Sequence, residues 1–223
     1  MTSPVRLAIF DLDGTLVDSR LDLCRSVNHA LRAVGLPARS LEEVSGFVGD
    51  GAATLIRRAL GSRQDLFEPA LASWREHYQA HLLDHTVLFP GILPFLQLAP
   101  FPLAVHTNKP GAMARAILAG LGVGARFAAV VGGDEAARKP DPGGTRAILG
   151  ELRVAPAEAV LVGDSLVDLE TARAVPMRFL AVGWGFASPE QLGAAGASSV
   201  ARTVVELAEG LGLPGDGLEG AAG

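Results

Sequence analysis

Short continuous apolar runs recur along the chain at Leu7–Phe10, Leu103–Val105, Ala128–Val131 and Val160–Val162, and each ends at Gly, Asp or a Thr-Asn pair. Runs of this length without polar alternation are what a strand buried on both faces requires. Helically spaced stretches of crossover length separate them, so the pattern predicts an α/β domain with a parallel sheet flanked by helices. The interval from Leu16 to His85 breaks that rhythm. It carries helical spacing over Leu21–Val34, Ala52–Leu60 and Leu71–Leu83 and no convincing strand, which predicts an inserted helical domain. Pro90–Gly91 restarts the main domain, and Phe89–Leu98 leads into its second strand. The expected division is therefore a discontinuous core over 1–15 and 86–208, a helical insertion over 16–85, and a flexible Gly-rich tail over 209–223.

Composition narrows the partners. Hydrophobic residues make up 49% of the chain, yet charges or turn residues interrupt every stretch well short of the roughly 18 apolar positions a membrane span needs. No export signal is expected, because the strand-sized run Val5–Phe10 passes directly into Asp11 and Asp13. The single cysteine, Cys24, sits among Leu23 and Val27 and reads as part of an apolar helix face. Nineteen Lys and Arg against 24 Asp and Glu give a net charge of −5 with no basic block, which argues against nucleic acid and leaves a small anionic metabolite open. A cytoplasmic monomer or homodimer is the expectation.

In an open parallel sheet, ligands bind beyond the carboxyl ends of the strands, and four such ends carry polar groups here. They are Asp11-Leu-Asp-Gly-Thr15, His106-Thr107-Asn108, Lys139-Pro140-Asp141-Pro142 and Gly163-Asp164-Ser165. Taken singly each is ordinary turn or capping chemistry. Together they supply one reaction. Asp11 and Asp13 at spacing two repel unless a cation intervenes, Asp164 completes a carboxylate set, and hard oxygen donors without His or Cys favour Mg²⁺. Phosphoryl transfer then finds a nucleophile in Asp11, charge neutralisation in the metal and Lys139, hydrogen-bond donors in Thr107 and Asn108, and a proton donor in Asp13.

These residues resemble the haloacid dehalogenase superfamily. Asp11-Leu-Asp-Gly-Thr-Leu-Val-Asp-Ser19 looks like its first motif, Thr107–Asn108 its second, Lys139–Pro140 its third and Gly163-Asp164-Ser165 through Asp168 its fourth, a likeness spanning about residues 5–185. More narrowly, Phe47-Val-Gly-Asp-Gly51 through Leu60, Phe89-Pro-Gly91, Thr107-Asn-Lys-Pro110 and Gly183-Trp-Gly185 look like its phosphoglycolate phosphatase branch. The resemblance implies a Rossmann-like core and identifies the insertion as a small α-helical cap. It also implies a phospho-aspartyl intermediate on Asp11, Asp13 as general acid then base, Thr107 and Asn108 as phosphoryl ligands, and Lys139 as clamp. Mg²⁺ would sit on Asp11, Asp164 and the carbonyl of Asp13, with Asp168 behind Lys139 or a metal-bound water. Gly49-Asp50-Gly51 would reach toward substrate from the cap, and 2-phosphoglycolate leads the substrate guesses.

Two other functions use the same motifs: a sugar phosphomutase of the β-phosphoglucomutase type, and a catalytically silent phospho-binding module. Asp13 favours phosphoester chemistry over dehalogenation, because expelling an alkoxide needs an acid. Val175–Pro176 replaces an Ala–Gly common in close relatives, a departure that touches no charged group. His77, His81 and His85 share one helix face by their spacing and read as a solvated side or dimer contact rather than a metal site. Arg57 and Arg58 could face either substrate or solvent.

Overall fold

The continuous apolar runs form the centre of a six-stranded sheet whose adjacent strands all pair in parallel. The computed structural model describes residues 4–215 and 218. In chain order the first elements are β1 (Leu7–Phe10), β2 (Val17–Asp18), α1 (Arg20–Ala33), α2 (Leu41–Ser45), α3 (Ala52–Leu60), α4 (Phe67–Ala80) and β3 (Val87–Leu88). Then follow α5 (Ile92–Leu98), β4 (Leu103–His106), α6 (Gly111–Gly120), β5 (Phe127–Val131), α7 (Gly143–Leu152) and β6 (Ala159–Gly163). The chain continues through α8 (Leu166–Ala174), β7 (Arg178–Val182), α9 (Pro189–Ala194), β8 (Val200–Ala201) and α10 (Val204–Gly210).

Strand order is β5-β4-β1-β6-β7-β8, so the chain winds outward from β1 first on one side and then on the other. The crevice at that reversal lies beyond the ends of β4, β1 and β6. Register brings those ends level, since Phe10 faces Val105 on one side and Val162 on the other. Alternate residues of β1 enter opposite cores. Ala8 and Phe10 join Phe95, Val160, Val162 and Leu207 on one face, whereas Leu7 and Ile9 join Ala104, Ile148, Leu149 and Leu161 on the other. Both faces of the central strands are covered, the physical reason their sequence shows no alternation.

Helices α1 to α4 leave the sheet between β1 and β4, and their apolar faces meet through Val27, Leu31, Leu55, Ile56, Leu71 and Trp74. A strand absent from the sequence reading lies at their root. Val17–Asp18 pairs antiparallel with Val87–Leu88, tying the outgoing and returning chains into a ribbon. Two residues are too short to leave a periodic signal. Beside the ribbon, buried Asp22 accepts hydrogen bonds from the backbone N–H of Thr86 (2.7 Å), the Thr86 hydroxyl (2.8 Å) and the backbone N–H of His85 (2.9 Å).

At the other terminus, Glu209 and Gly210 close α10 and Leu211 and Leu218 are buried, so the expected loose tail does not begin at 209. The sequence expectation for 216, 217 and 219–223 lies outside the described residues.

Candidate active site

The β1 chain direction delivers Asp11 to the crevice. Its N–H still donates to Val162 O at 2.9 Å, so the sheet holds the backbone that presents the carboxylate. The chain then turns sharply. The N–H groups of Thr15, Leu16 and Val17 all reach back to Leu12 O, and Gly14 adopts φ +84°, a conformation that costs a residue with Cβ. This turn sends Asp13 away from Asp11, toward the inserted helices.

On the sheet side, Asp11, Asp164 and Asp168 bring carboxylate oxygens within 4.8 Å of one another, all buried. Lys139 Nζ stands among them, 2.9 Å from Asp11 Oδ1 and 2.6 Å from Asp168 Oδ1. Burial alone would lower the Lys139 pKa, but the charges of Asp11 and Asp168 overcome it and hold the ammonium above its usual range. One ammonium does not neutralise the whole cluster. Burial first, and then the neighbouring carboxylates, push both Asp11 and Asp164 well above the ordinary aspartate range, with Lys139 moderating the effect on Asp11.

These oxygens differ in what they leave free. Asp168 Oδ1 accepts from Lys139, and its Oδ2 accepts from the N–H and hydroxyl of Ser165 in the box that caps α8. Asp164 accepts from Thr15 Oγ1 (2.8 Å) and Phe186 N–H (2.8 Å), one to each oxygen. Asp11 Oδ1 pairs with Lys139 and accepts from no other group among the described residues. A buried oxygen that meets only one ammonium, an all-carboxylate donor set and two carboxyls destabilised by burial and by their neighbours' charge fit a hard divalent cation, which Asp11 and Asp164 would hold. Gly14 and Gly185 shape the surroundings, because a Cβ at either would overlap the Asp164 carboxylate.

On the opposite side, Asp13 Oδ1 accepts from Ser19 Oγ at 2.6 Å and from Lys109 Nζ at 2.7 Å. Lys109 also donates to Tyr78 OH at 2.6 Å. Both Lys109 and Tyr78 are buried, and burial pushes the phenol up to about 12. A cavity joins the two sides, with Asp11, Asp13, Thr107 and Lys109 on its core wall and Val48, Gly49, Gly51, Leu55 and Trp74 on the wall from the inserted helices.

Asp11, Thr107 and Asp164 thus stand at neighbouring strand ends, and Lys139 from the loop before α7 and Asp168 from α8 reach in beside them. The expected carboxylate trio of Asp11, Asp13 and Asp164 is not the one that converges. Asp168 takes the third place, while the Asp13 side chain is engaged by Ser19 and Lys109. Asn108 is committed within the protein: its amide donates to Gly49 O and Lys139 O, and its Oδ1 accepts from Lys139 N–H. Gly49 and Gly51 line the cavity, but Asp50 pairs with Arg58 at the surface. Arg57 packs over the Phe67 ring, 3.7 Å from its centroid. Ser19, Lys109, Tyr78 and Trp74 escaped sequence reasoning. Lys109 directly follows Thr107–Asn108 at a strand end, which was the available signal, whereas Tyr78 and Trp74 look like helix-face residues.

Comparison with known proteins points one way. The model of haloacid dehalogenase-like hydrolases matches residues 8–182. A phosphoglycolate phosphatase from Chromobacterium violaceum is 36% identical over 200 residues, 85% of this chain and 90% of its own. One from Rhodospirillum rubrum is 38% identical over 225 residues, 95% of this chain and 93% of its own. Among solved structures, that of a predicted phosphoglycolate phosphatase from Haemophilus somnus 129pt superposes with a TM-score of 0.87 at 27% identity, covering 92% of this chain and 97% of that one.

Proposed function

The chain belongs to the haloacid dehalogenase-like hydrolases, and from that membership we propose that it is a Mg²⁺-dependent phosphatase of a small phosphate monoester, 2-phosphoglycolate foremost. The observation that carries this reading is the division of labour between the two aspartates of one turn. Asp11 stands among carboxylates and Lys139, and Asp13 faces the cavity from the other side with Ser19 and Lys109.

Asp11 attacks phosphorus, the ester P–O bond breaks, and the departing oxygen takes a proton from Asp13. A water then gives a proton to Asp13 and attacks the phospho-aspartyl group, the bond between phosphorus and Asp11 breaks, and inorganic phosphate leaves. Lys139 neutralises Asp11 before attack and the phosphoryl oxygens during transfer. Bound Mg²⁺ would supply further charge neutralisation on the phosphoryl group. Thr107 accepts from the N–H of Lys109, which leaves its hydroxyl proton for a phosphoryl oxygen. Asn108 serves by fixing the Lys139 loop to Gly49, so a hydrogen bond from position 108 to substrate falls to its backbone N–H. The similarity to the Chromobacterium and Rhodospirillum phosphoglycolate phosphatases supports phosphoglycolate as substrate.

The test is a panel of phosphoglycolate, sugar phosphates and nucleotides assayed with Mg²⁺, comparing kcat/KM. Phosphoglycolate should lead, and Asp11→Asn should release no phosphate from any of them. Conversion of β-glucose 1-phosphate to the 6-phosphate without phosphate release would instead make the chain a mutase.

A further inference from the structure

The wall of the cavity that faces the leaving group has an uneven chemistry. Leu23, Val48, Ala52, Leu55 and Pro110 make most of it apolar. Two polar groups interrupt this surface, and neither belongs to the set that handles phosphate. One is the Lys109 ammonium, which spends one donor on Asp13 Oδ1 (2.7 Å) and one on Tyr78 OH (2.6 Å), leaving a third. The other is Trp74, only 2% exposed, which lines the same cavity and whose buried Nε1–H has no partner among the described residues. A buried N–H without an acceptor is rare in a folded protein and calls for a ligand or an ordered water. Tyr78 links the two, stacking on Trp74 at 4.9 Å between ring centroids while it holds Lys109.

We propose that Lys109 and Trp74 form an anchor for a carboxylate carried by the leaving alcohol, so that the enzyme selects short phosphorylated hydroxy acids over neutral esters of the same size. This deepens the phosphatase reading and rests on it. A carboxylate has two oxygens and accepts from an ammonium and an indole N–H at once, satisfying both donors. A polyol would set several hydroxyls against walls that are mostly apolar.

The experiment compares 2-phosphoglycolate with 2-hydroxyethyl phosphate, a neutral ester of nearly equal size, on the full chain with Mg²⁺. The ratio of their kcat/KM values should fall on the order of 100-fold in Lys109→Met and roughly 10-fold in Trp74→Phe, the scale of losing an ion-paired hydrogen bond and one from a neutral donor to a charged acceptor. Trp74→Phe keeps an aromatic ring in the stack, so it answers the question even if Lys109→Met fails to fold. Calorimetry on Asp11→Asn provides a second readout, with the same preference expected in Kd and reduced roughly tenfold when Trp74→Phe is added. A ratio that stays constant in Trp74→Phe and in folded Lys109→Met, each losing equally toward both esters, overturns the anchor. Failure of the phosphatase reading looks different: the wild-type chain would release phosphate from neither ester, while the calorimetric preference still decided the anchor.

Discussion

Lys139→Met removes a cation that touches two buried carboxylates and replaces it with an apolar chain of similar length. The Lys139 side chain is 1% exposed, and its Nζ lies 2.9 Å from Asp11 and 2.6 Å from Asp168, whose side chain is 0% exposed. Removing one partner of a buried pair typically costs about 3–5 kcal/mol, because the other charge remains without compensation. The two contacts share one ammonium, so their losses do not add. For a chain of this size each kcal/mol shifts Tm by roughly 2–4 °C, which predicts a fall of about 6–20 °C at pH 8 in chelator. The deficit has a direction in pH. Asp11 and Asp164 titrate above the ordinary aspartate range in the folded chain, so they bind protons more readily folded than unfolded. Falling pH therefore relieves their repulsion in the fold before the unfolded chain gains anything. Without Lys139 that relief matters more, and the gap between variant and wild type should narrow from pH 8 toward pH 5.5. Far-UV circular dichroism melts at both values check this. A loss under about 2 °C at pH 8, or a gap that widens on acidification, refutes the electrostatic account of the cluster.

Three further outcomes follow from the same geometry. Mg²⁺ should raise Tm and release protons on binding, since Asp11 and Asp164 must give up protons they hold above their usual range; calorimetry in buffers of different ionisation enthalpy would detect this, and binding without proton release would contradict it. Gly185→Ala should lower kcat at least about tenfold while leaving the chain folded, because the new Cβ displaces the Asp164 carboxylate; unchanged phosphate release would show that the carboxylate tolerates a shift. Burial pushes Asp22 up, but hydrogen bonds from His85 and Thr86 outweigh it and hold the carboxyl below its ordinary value. Its contribution is present above the unfolded aspartate pKa and lost as pH falls through the lower folded value. Asp22→Asn should cost about 1–3 kcal/mol in urea unfolding at pH 7, since an amide nitrogen cannot accept from Thr86.

The parts of this molecule legible in its sequence are those where one-dimensional order and spatial order coincide. Asp11 and Asp164 follow apolar runs immediately, and in a parallel sheet every such position falls at the same edge. β7 was missed because Arg178 opens it and its first residues are half-buried, so its pattern is broken; β8 has two residues and no pattern at all. The direction of the Asp13 side chain is illegible for a different reason. Spacing from Asp11 says that both carboxylates leave one strand end, but the turn at Gly14 decides where each points, and that turn is specified by the three N–H groups converging on Leu12 O. His106 stands at a strand end too, yet burial holds its pKa down to about 3 and its ring hydrogen-bonds Thr145, as a neutral core residue does. Lys109, Tyr78 and Trp74 could not be read together from the chain, because their relation exists only once α4 lies against the loop after β4.

The charge distribution of the site explains why its two sides must differ. Asp11, Asp13, Asp164 and Asp168 face two ammoniums, Lys109 and Lys139. With every carboxyl ionised, the surplus is two negative charges, the charge of one divalent cation, and it falls on the Asp11–Asp164 side, where the pKa values are raised. The Asp13 side is matched by Lys109 and needs no metal. On the proposed reading, with a divalent cation held by Asp11 and Asp164, that side would receive the phosphoryl group that Asp11 attacks. The side lined by Lys109 and Trp74 would then receive whatever the phosphate is attached to. Orientation of the substrate would thus be set by the nucleophile and its cation before any shape fit is considered.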